Sequence, residues 1–439
     1  MNAFARLAER IARADRPLVV MSASGQLGYG IPMAAFRAGV ERQPDFIGVD
    51  MGSIDPGPYY LGAGKMATAE EMTRRDLRLV LTAARELDVP LVLGTAGTAG
   101  AEPHLAATLA LVREIAAEEG LHFTLASIRA DVPAELVVAA QAAGKLHALG
   151  PIAAPTPDEI RKSRLVAQMG VAPFAKALEA GADIVIAGRA CDTAVYSAIP
   201  KMLGYPVGLA VHMAKLLECT SLCCTPGGRD AVLGHLDHEG FVVESMNPSR
   251  HATPVSVAAH SLYEQADPFS VVEPEGILSL HHAEYVAVDA HRTRVSGASW
   301  QPAARLRLKV EGATFEGYRS VLAAASADPG FIASLDTILK EVEAAVRALI
   351  SKQFRLFPRI YGTGGVSLWP AAAPSSTPPE IFLLLECVAD TEALSRAVLI
   401  SFKQHLLHHG FPGRICTGGN LAFPITPPEI GRASCRERV

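Results

Sequence analysis

Short apolar runs rich in β-branched residues alternate with helix-patterned stretches through the first half of the chain, and this alternation constrains the fold more than any other feature. RPLVVMSA (16–23), FIGVDMG (46–52), PLVLGTAG (90–97), HFTLASI (122–128) and DIVIAGRA (183–190) read as strands, with KLHALGP (145–151) as a short strand before the last. Amphipathic stretches of roughly 10–20 residues lie between them, which implies helices. A parallel pair of strands needs a long crossover, so the order implies right-handed βαβ units and a parallel sheet. A doubly wound sheet and a barrel-like ring both satisfy this α/β pattern. Both place the loops that carry chemistry at the C-terminal ends of the strands.

Near Leu233 the rhythm changes. GHLDHEGFVVES predicts a hairpin around Glu239 and Gly240, and later strands and helices no longer alternate regularly. The expected plan is a parallel βα-repeat domain over 1–232 and a smaller α+β sandwich over 233–428, with helices on one sheet face. Residues 429–439, EIGRASCRERV, resemble a translated sequencing adapter and are set aside as an artefact, which implies that the native C-terminus is missing.

The chain has 439 residues, is 49% hydrophobic and only 19% charged, and carries a formal charge of −5. The acidic balance disfavours nucleic acid as a partner. No apolar run approaches the ~18–20 residues of a membrane span, and the N-terminus lacks a signal-peptide pattern. A cytoplasmic location and no membrane partner are expected. With Cys435 in the tail set aside, the cysteines form no disulfide framework. Cys219, Cys223 and Cys224 have a weakly metal-like spacing without a second ligand pair, so buried reduced thiols are expected.

The candidate site residues come from the strand-end loops. SASGQLGYG holds Gly25, Gly28 and Gly30, whose backbone N–H groups could face an anion, though the order is not GxGxxG. Asp50 ends the second strand, before a long polar loop with Ser53 and Asp55; it suits a base, a hydroxyl acceptor or a metal ligand. Gly94 and Gly97 allow close approach of backbone to a carboxylate or phosphate. Arg189 and Asp192 emerge together after the sixth strand: Arg189 to bind a carboxylate, Asp192 to move a proton or cap a helix. His212, Lys215 and Cys219 share one helix stripe, with Glu218 beside it, and His212 or Lys215 would be the acid partner. Asp230 closes this region as a further substrate contact. His260 and Glu264 stand four apart and are expected to stabilise a helix. YGTGG (361–365) and CTGGN (416–420) read as turns, and 371–380 as a surface loop. No cofactor is required by a motif; a divalent metal held by carboxylates is left open.

The segments GYGIP (28–32), VDMGSIDPGPYYLGAGK (49–65), GTAGTAGAEPH (94–104), 167–200, GLAVHMAKLLECTSLCCTPGGRD (208–230), LYEQADP (262–268) and FPGRICTGGNLAFP (411–424) together resemble the AtuA-type acyclic terpene utilisation family. The resemblance implies a catabolic setting in which branched acids are handled as CoA thioesters. It also implies a small companion subunit, and a homo-oligomer is expected. Cys191 stands between Arg189 and Asp192 where relatives are expected to differ, so a thiol nucleophile is not expected. The reading is a lyase or hydratase acting on a small branched or hydroxylated carboxylate or its CoA thioester, against the alternative of a non-catalytic binding or scaffold subunit.

Overall fold

The structure, a computed structural model, describes residues 2–13, 16–363, 378–415 and 421–434. The loop expected at 371–380, the turns at 361–365 and 416–420, and the tail lie wholly or partly outside these residues.

The first unit opens with α1 (Ala3–Arg13). It continues through β1 (Leu18–Gln26), α2 (Met33–Glu41), β2 (Phe46–Asp50), α3 (Tyr59–Ala63), α4 (Glu70–Glu86), β3 (Leu91–Gly94) and α5 (Glu102–Glu118). Then come β4 (Leu125–Ile128), α6 (Ala134–Ala142), α7 (Pro157–Lys162), β5 (Ser163–Gln168), α8 (Val171–Glu179), β6 (Ile184–Ala187), α9 (Asp192–Met202) and α10 (Val207–Leu217). It ends with β7 (Val232–Leu236), β8 (Gly240–Ser245), α11 (Pro254–Leu262), β9 (Ser270–Glu273), β10 (Gly276–Ser279), β11 (Glu284–Ala287), β12 (Arg292–Ser296) and β13 (Ser299–Pro302). Strand β14 (Lys309–Ser326) leads on to α12 (Pro329–Leu349), β15 (Phe354–Tyr361), β16 (Ile381–Ala389), α13 (Glu392–His408) and β17 (Glu429–Ser434).

A nine-stranded mixed sheet, β11-β12-β8-β7-β1-β2-β3-β6-β4, organises the first unit, with β4 and β11 at its edges. The pairs among β1, β2, β3, β6 and β4 are parallel. Strands β2, β3 and β6 are buried at every position, as a parallel sheet covered on both faces requires. Alternate side chains enter two apolar layers. Val20, Phe46, Val92 and Val185 join one with residues of α8, α9 and α10. Met21, Ile47, Leu93 and Ile186 join the other with residues of α2, α4 and α5.

Three sequence expectations differ from the structure. The first compact unit extends to Ala313 rather than to residue 232. The expected hairpin forms, as β7 and β8, but β7 pairs antiparallel with β1 and so extends the same sheet. KLHALGP is not a strand: it is exposed irregular chain between Gly144 and Gly150. The strand that precedes β6 is instead β5, which pairs with β14.

The second unit, 314–435, carries the antiparallel order β15-β16-β14-β17. Its core joins Leu322, Ala324, Leu383 and Leu385 of the strands to Phe331, Leu335 and Phe402 of α12 and α13. Asp328 starts α12 by accepting the Gly330 and Phe331 amides at 2.8 and 3.0 Å, a side-chain cap for otherwise unpaired donors. The first part of the tail, set aside from the sequence, is the edge strand β17 beside β14.

Candidate functional site

Asp50 is the last residue of β2, and its side chain is buried. Its Oδ2 accepts the Gly52 amide at 3.2 Å, while Oδ1 has no hydrogen-bond partner. Tyr196 of α9 lies with its hydroxyl 3.1 Å from Ser22 Oγ and reaches the Asp50 backbone. Asp192 begins α9, where the helix N-terminus favours a negative charge. About a third of its side chain is exposed, yet its Oδ1 is enclosed without a hydrogen bond.

Arg189 follows β6 and is held by a partner 122 residues away: Nε and Nη2 donate to the two oxygens of Glu311 at 2.8 and 3.2 Å. Glu311 is fully buried and also takes Lys309 Nζ at 3.0 Å. Arg189 Nη1 faces Asp192 Oδ1 at 3.7 Å and Thr95 Oγ1 at 3.5 Å. The carboxylate to which Arg189 donates in this structure is the protein's own. Lys215, in the last turn of α10, lies 3.3 Å from Glu218 Oε1, 3.8 Å from Glu264 Oε2 and 4.6 Å from the Tyr263 ring centre.

The electrostatics join these groups into one cluster. Burial raises the Asp50 carboxyl well above its ordinary value; Asp192 adds to the rise and Arg189 opposes it. Asp192 is raised by burial against the pull of Arg189 and Lys215. Glu218 is pushed up to about 8 by burial and by Asp192, with Lys215 opposing. For Arg189, burial works against the charge, but Glu311 and Asp192 outweigh it and the guanidinium stays above its ordinary value. Burial and neighbouring like charges shift these carboxyls toward their protonated forms. Glu218 stands beside the helix stripe with no motif to mark it, and no local pattern in the sequence points to Glu311 or Tyr196.

Other expected site residues are occupied elsewhere. The first glycine loop does bind an anion, but that anion is Asp76 of α4. Asp76 accepts the Gly28, Gly30 and Ile31 amides at 3.0, 2.9 and 2.9 Å. Gly94 and Gly97 provide room for packing: a Cβ at either would stand 2.4 Å from Val195 or 2.9 Å from His104. Ser53 and Asp55 bond each other at 2.7 Å in an exposed turn, although the Asp55 charge still reaches Asp192. His212 is fully buried, bonded to Ser261 Oγ at 2.8 Å and edge-on to Phe241 and Tyr285. Burial drives it down to about 3, so it is neutral at physiological pH and unsuited to the acid role expected of it. Asp230 accepts from Asn247 Nδ2 at 2.6 Å and from the Ala231 amide at 3.1 Å. His260 accepts the Leu222 amide, and Glu264 lies beyond the end of α11, facing Lys215.

Cys191, Cys219, Cys223, Cys224 and Cys387 are free thiols, and burial pushes the Cys191 thiol up. Among the described residues no three His, Cys, Asp or Glu side chains are placed to hold a metal ion. A cleft of about 310 Å³, open mouth included, is lined by residues such as Thr193, Lys201, Glu273 and Trp300. Glu273 Oε1 accepts the Thr193 hydroxyl at 2.7 Å, and burial pushes its carboxyl up to about 7. No helix among the described residues is long and apolar enough to cross a membrane.

Comparison with curated proteins and with solved structures returns no match. A family model described as "Acyclic terpene utilisation family protein AtuA" matches residues 59–226 and 236–422. The first stretch contains Arg189, Asp192, Lys215 and Glu218, and the second contains Glu311. With most of its length matched, the chain belongs to the AtuA acyclic terpene utilisation family.

Proposed function

We propose that the chain is an enzyme of acyclic terpene breakdown that adds or removes water, a lyase of the hydratase kind. Its substrate is a small branched or hydroxylated acid or the corresponding CoA thioester. The observation that carries this reading is the trio Asp50, Asp192 and Glu218: burial raises all three carboxyls, and Asp192 raises Asp50 and Glu218 further. They stand at strand and helix ends on one side of a parallel sheet, where α/β folds build their sites.

In the dehydration direction Asp50, in its ionised form, takes a proton from the carbon next to the carbonyl through Oδ1, and its raised value makes it a stronger base than an exposed carboxylate. Glu218, protonated below about pH 8, gives a proton to the departing hydroxyl. The C–H and C–O bonds break, a C=C bond forms and water leaves. Hydration runs the same steps backwards. Lys215 steadies the Glu218 carboxylate once it has lost its proton. Arg189, itself fixed by Glu311, orients Asp192.

The test is a hydration and dehydration assay on branched acyl thioesters with purified chain alone. Asp50→Asn and Glu218→Gln should each lower turnover by about 100-fold or more with unfolding transitions retained. Unchanged turnover in both would overturn the assignment, and turnover by the isolated chain would exclude a purely scaffolding role.

A further inference from the structure

We infer that this site, read as above, recognises its substrate through a hydroxyl group and takes it as a neutral thioester rather than as a free acid. Asp50 Oδ1, in a side chain only 4% exposed, and the enclosed Asp192 Oδ1 both lack a hydrogen bond, although Arg189 Nη1 stands 3.7 Å from the second. A hydroxyl completes such an atom in either protonation state, donating to a carboxylate or accepting from a carboxyl O–H, whereas an ionised carboxylate can pair only with the protonated form. A buried acceptor left unpaired costs free energy, so a ligand that supplies the donor gains what the empty site lacks.

The local charge points the same way. The cations a free acid would need are committed: Arg189 to Glu311 and Lys215 to Glu218. A ligand carboxylate would instead meet Asp50, Asp192 and Glu218, with the Asp55 charge close enough to act on Asp192. An ammonium group could also donate. Because burial favours the protonated forms of Asp50 and Asp192, however, the attraction for a cation is reduced, while a hydroxyl can both donate to and accept from such a pair.

The experiment is isothermal titration calorimetry of the full chain near pH 7 with four N-acetylcysteamine-type probes of one branched acyl skeleton. These are the 3-hydroxyacyl thioester, its deoxy counterpart, its 3-amino counterpart and the free 3-hydroxy acid. The hydroxy thioester should bind about ten-fold or more tightly than each of the others. In Asp192→Asn the preference for hydroxy over deoxy thioester should shrink, as an amide replaces one of the two carboxyl groups. Equal binding of hydroxy and deoxy thioesters, tighter binding of the amine, or tighter binding of the free acid would each overturn the inference. If Asp192→Asn does not fold, the four-ligand comparison on the unaltered chain decides alone. Any heat of turnover is separated from the heat of binding by following product in the same injections, so the two readings fail separately. Hydroxyl-dependent binding without turnover sinks the hydratase reading and keeps this one; turnover with indifferent binding does the reverse.

Discussion

Glu218 lies just beyond the last turn of α10, buried, with Lys215 3.3 Å away, and its carboxyl is pushed up to about 8 from an ordinary 4.5. The folded state therefore binds a proton that the unfolded chain has already released across this interval. A carboxyl raised in this way stabilises the fold fully below the unfolded value and loses that contribution as pH rises through the folded one. Wild-type stability should fall between about pH 5 and pH 9, and Glu218→Gln should flatten the fall. The variant should gain on the order of a few kcal/mol over the wild type at the alkaline end. Urea midpoints at acid, neutral and alkaline pH measure this, and parallel curves for the two proteins would refute it. Asp50 and Asp192 shift in the same direction, so some slope should persist in the variant. At this scale the sequence is informative about place and poor about partners. Asp50, Arg189, Asp192 and Lys215 could be found because strand and helix ends are local. That Arg189 spends its fork on Glu311, and the glycine-loop amides theirs on Asp76, depends on contacts that no local spacing encodes.

Between elements, the loops after β3 and β6 hold the site together. Thr95 and Ala96 donate backbone hydrogen bonds to Gly188 and Ala187, and the Arg189 amide donates to Gly100. The approach is so close at Gly100 that a Cβ there would lie 2.1 Å from the Arg189 nitrogen, and its φ is +67°. Gly120 has nearly the same backbone conformation, φ +62°, with nothing within 4 Å of such a Cβ. Gly120→Ala should thus cost only the backbone term, about 1 kcal/mol. Gly100→Ala should cost about 2–4 kcal/mol and lower turnover as well, because Arg189 must move. Equal unfolding free energies for the pair would show that the loops can part without penalty. The elements legible in the sequence are those whose pattern is uniform, such as the fully buried β2, β3 and β6. Strand β5 was hidden because it follows α7 with no turn residue between Lys162 and Ser163. The end of β14 was hidden by the run Ala323–Ala325, weak strand formers whose place is set by pairing with β16.

For the whole molecule, the alternation of strands and helices implied a parallel sheet, but it could not reveal that later strands return to the sheet. Strand β7 pairs with β1 over Leu18–Ser22, and β8, β12 and β11 follow outward. A chain cut after residue 232 would leave β1 as a bare edge with a row of unpaired backbone groups. It would also lose Leu236, Phe241, Val243 and Val295, all wholly buried in the layer that covers α9 and α10. Without Glu311, Arg189 would be a buried charge lacking its main partner, a loss of about 3–5 kcal/mol by itself. A chain cut after residue 313 keeps all of these, including Gly312 against Leu165 of β5. The fragment 1–313 should therefore be monodisperse on gel filtration and unfold in one cooperative urea transition. The fragment 1–232 should show neither property. If 1–232 unfolds cooperatively with a stability matching that of 1–313, then the antiparallel half of the sheet contributes nothing to the parallel half, and the boundary expected from the sequence is the one at which the chain folds.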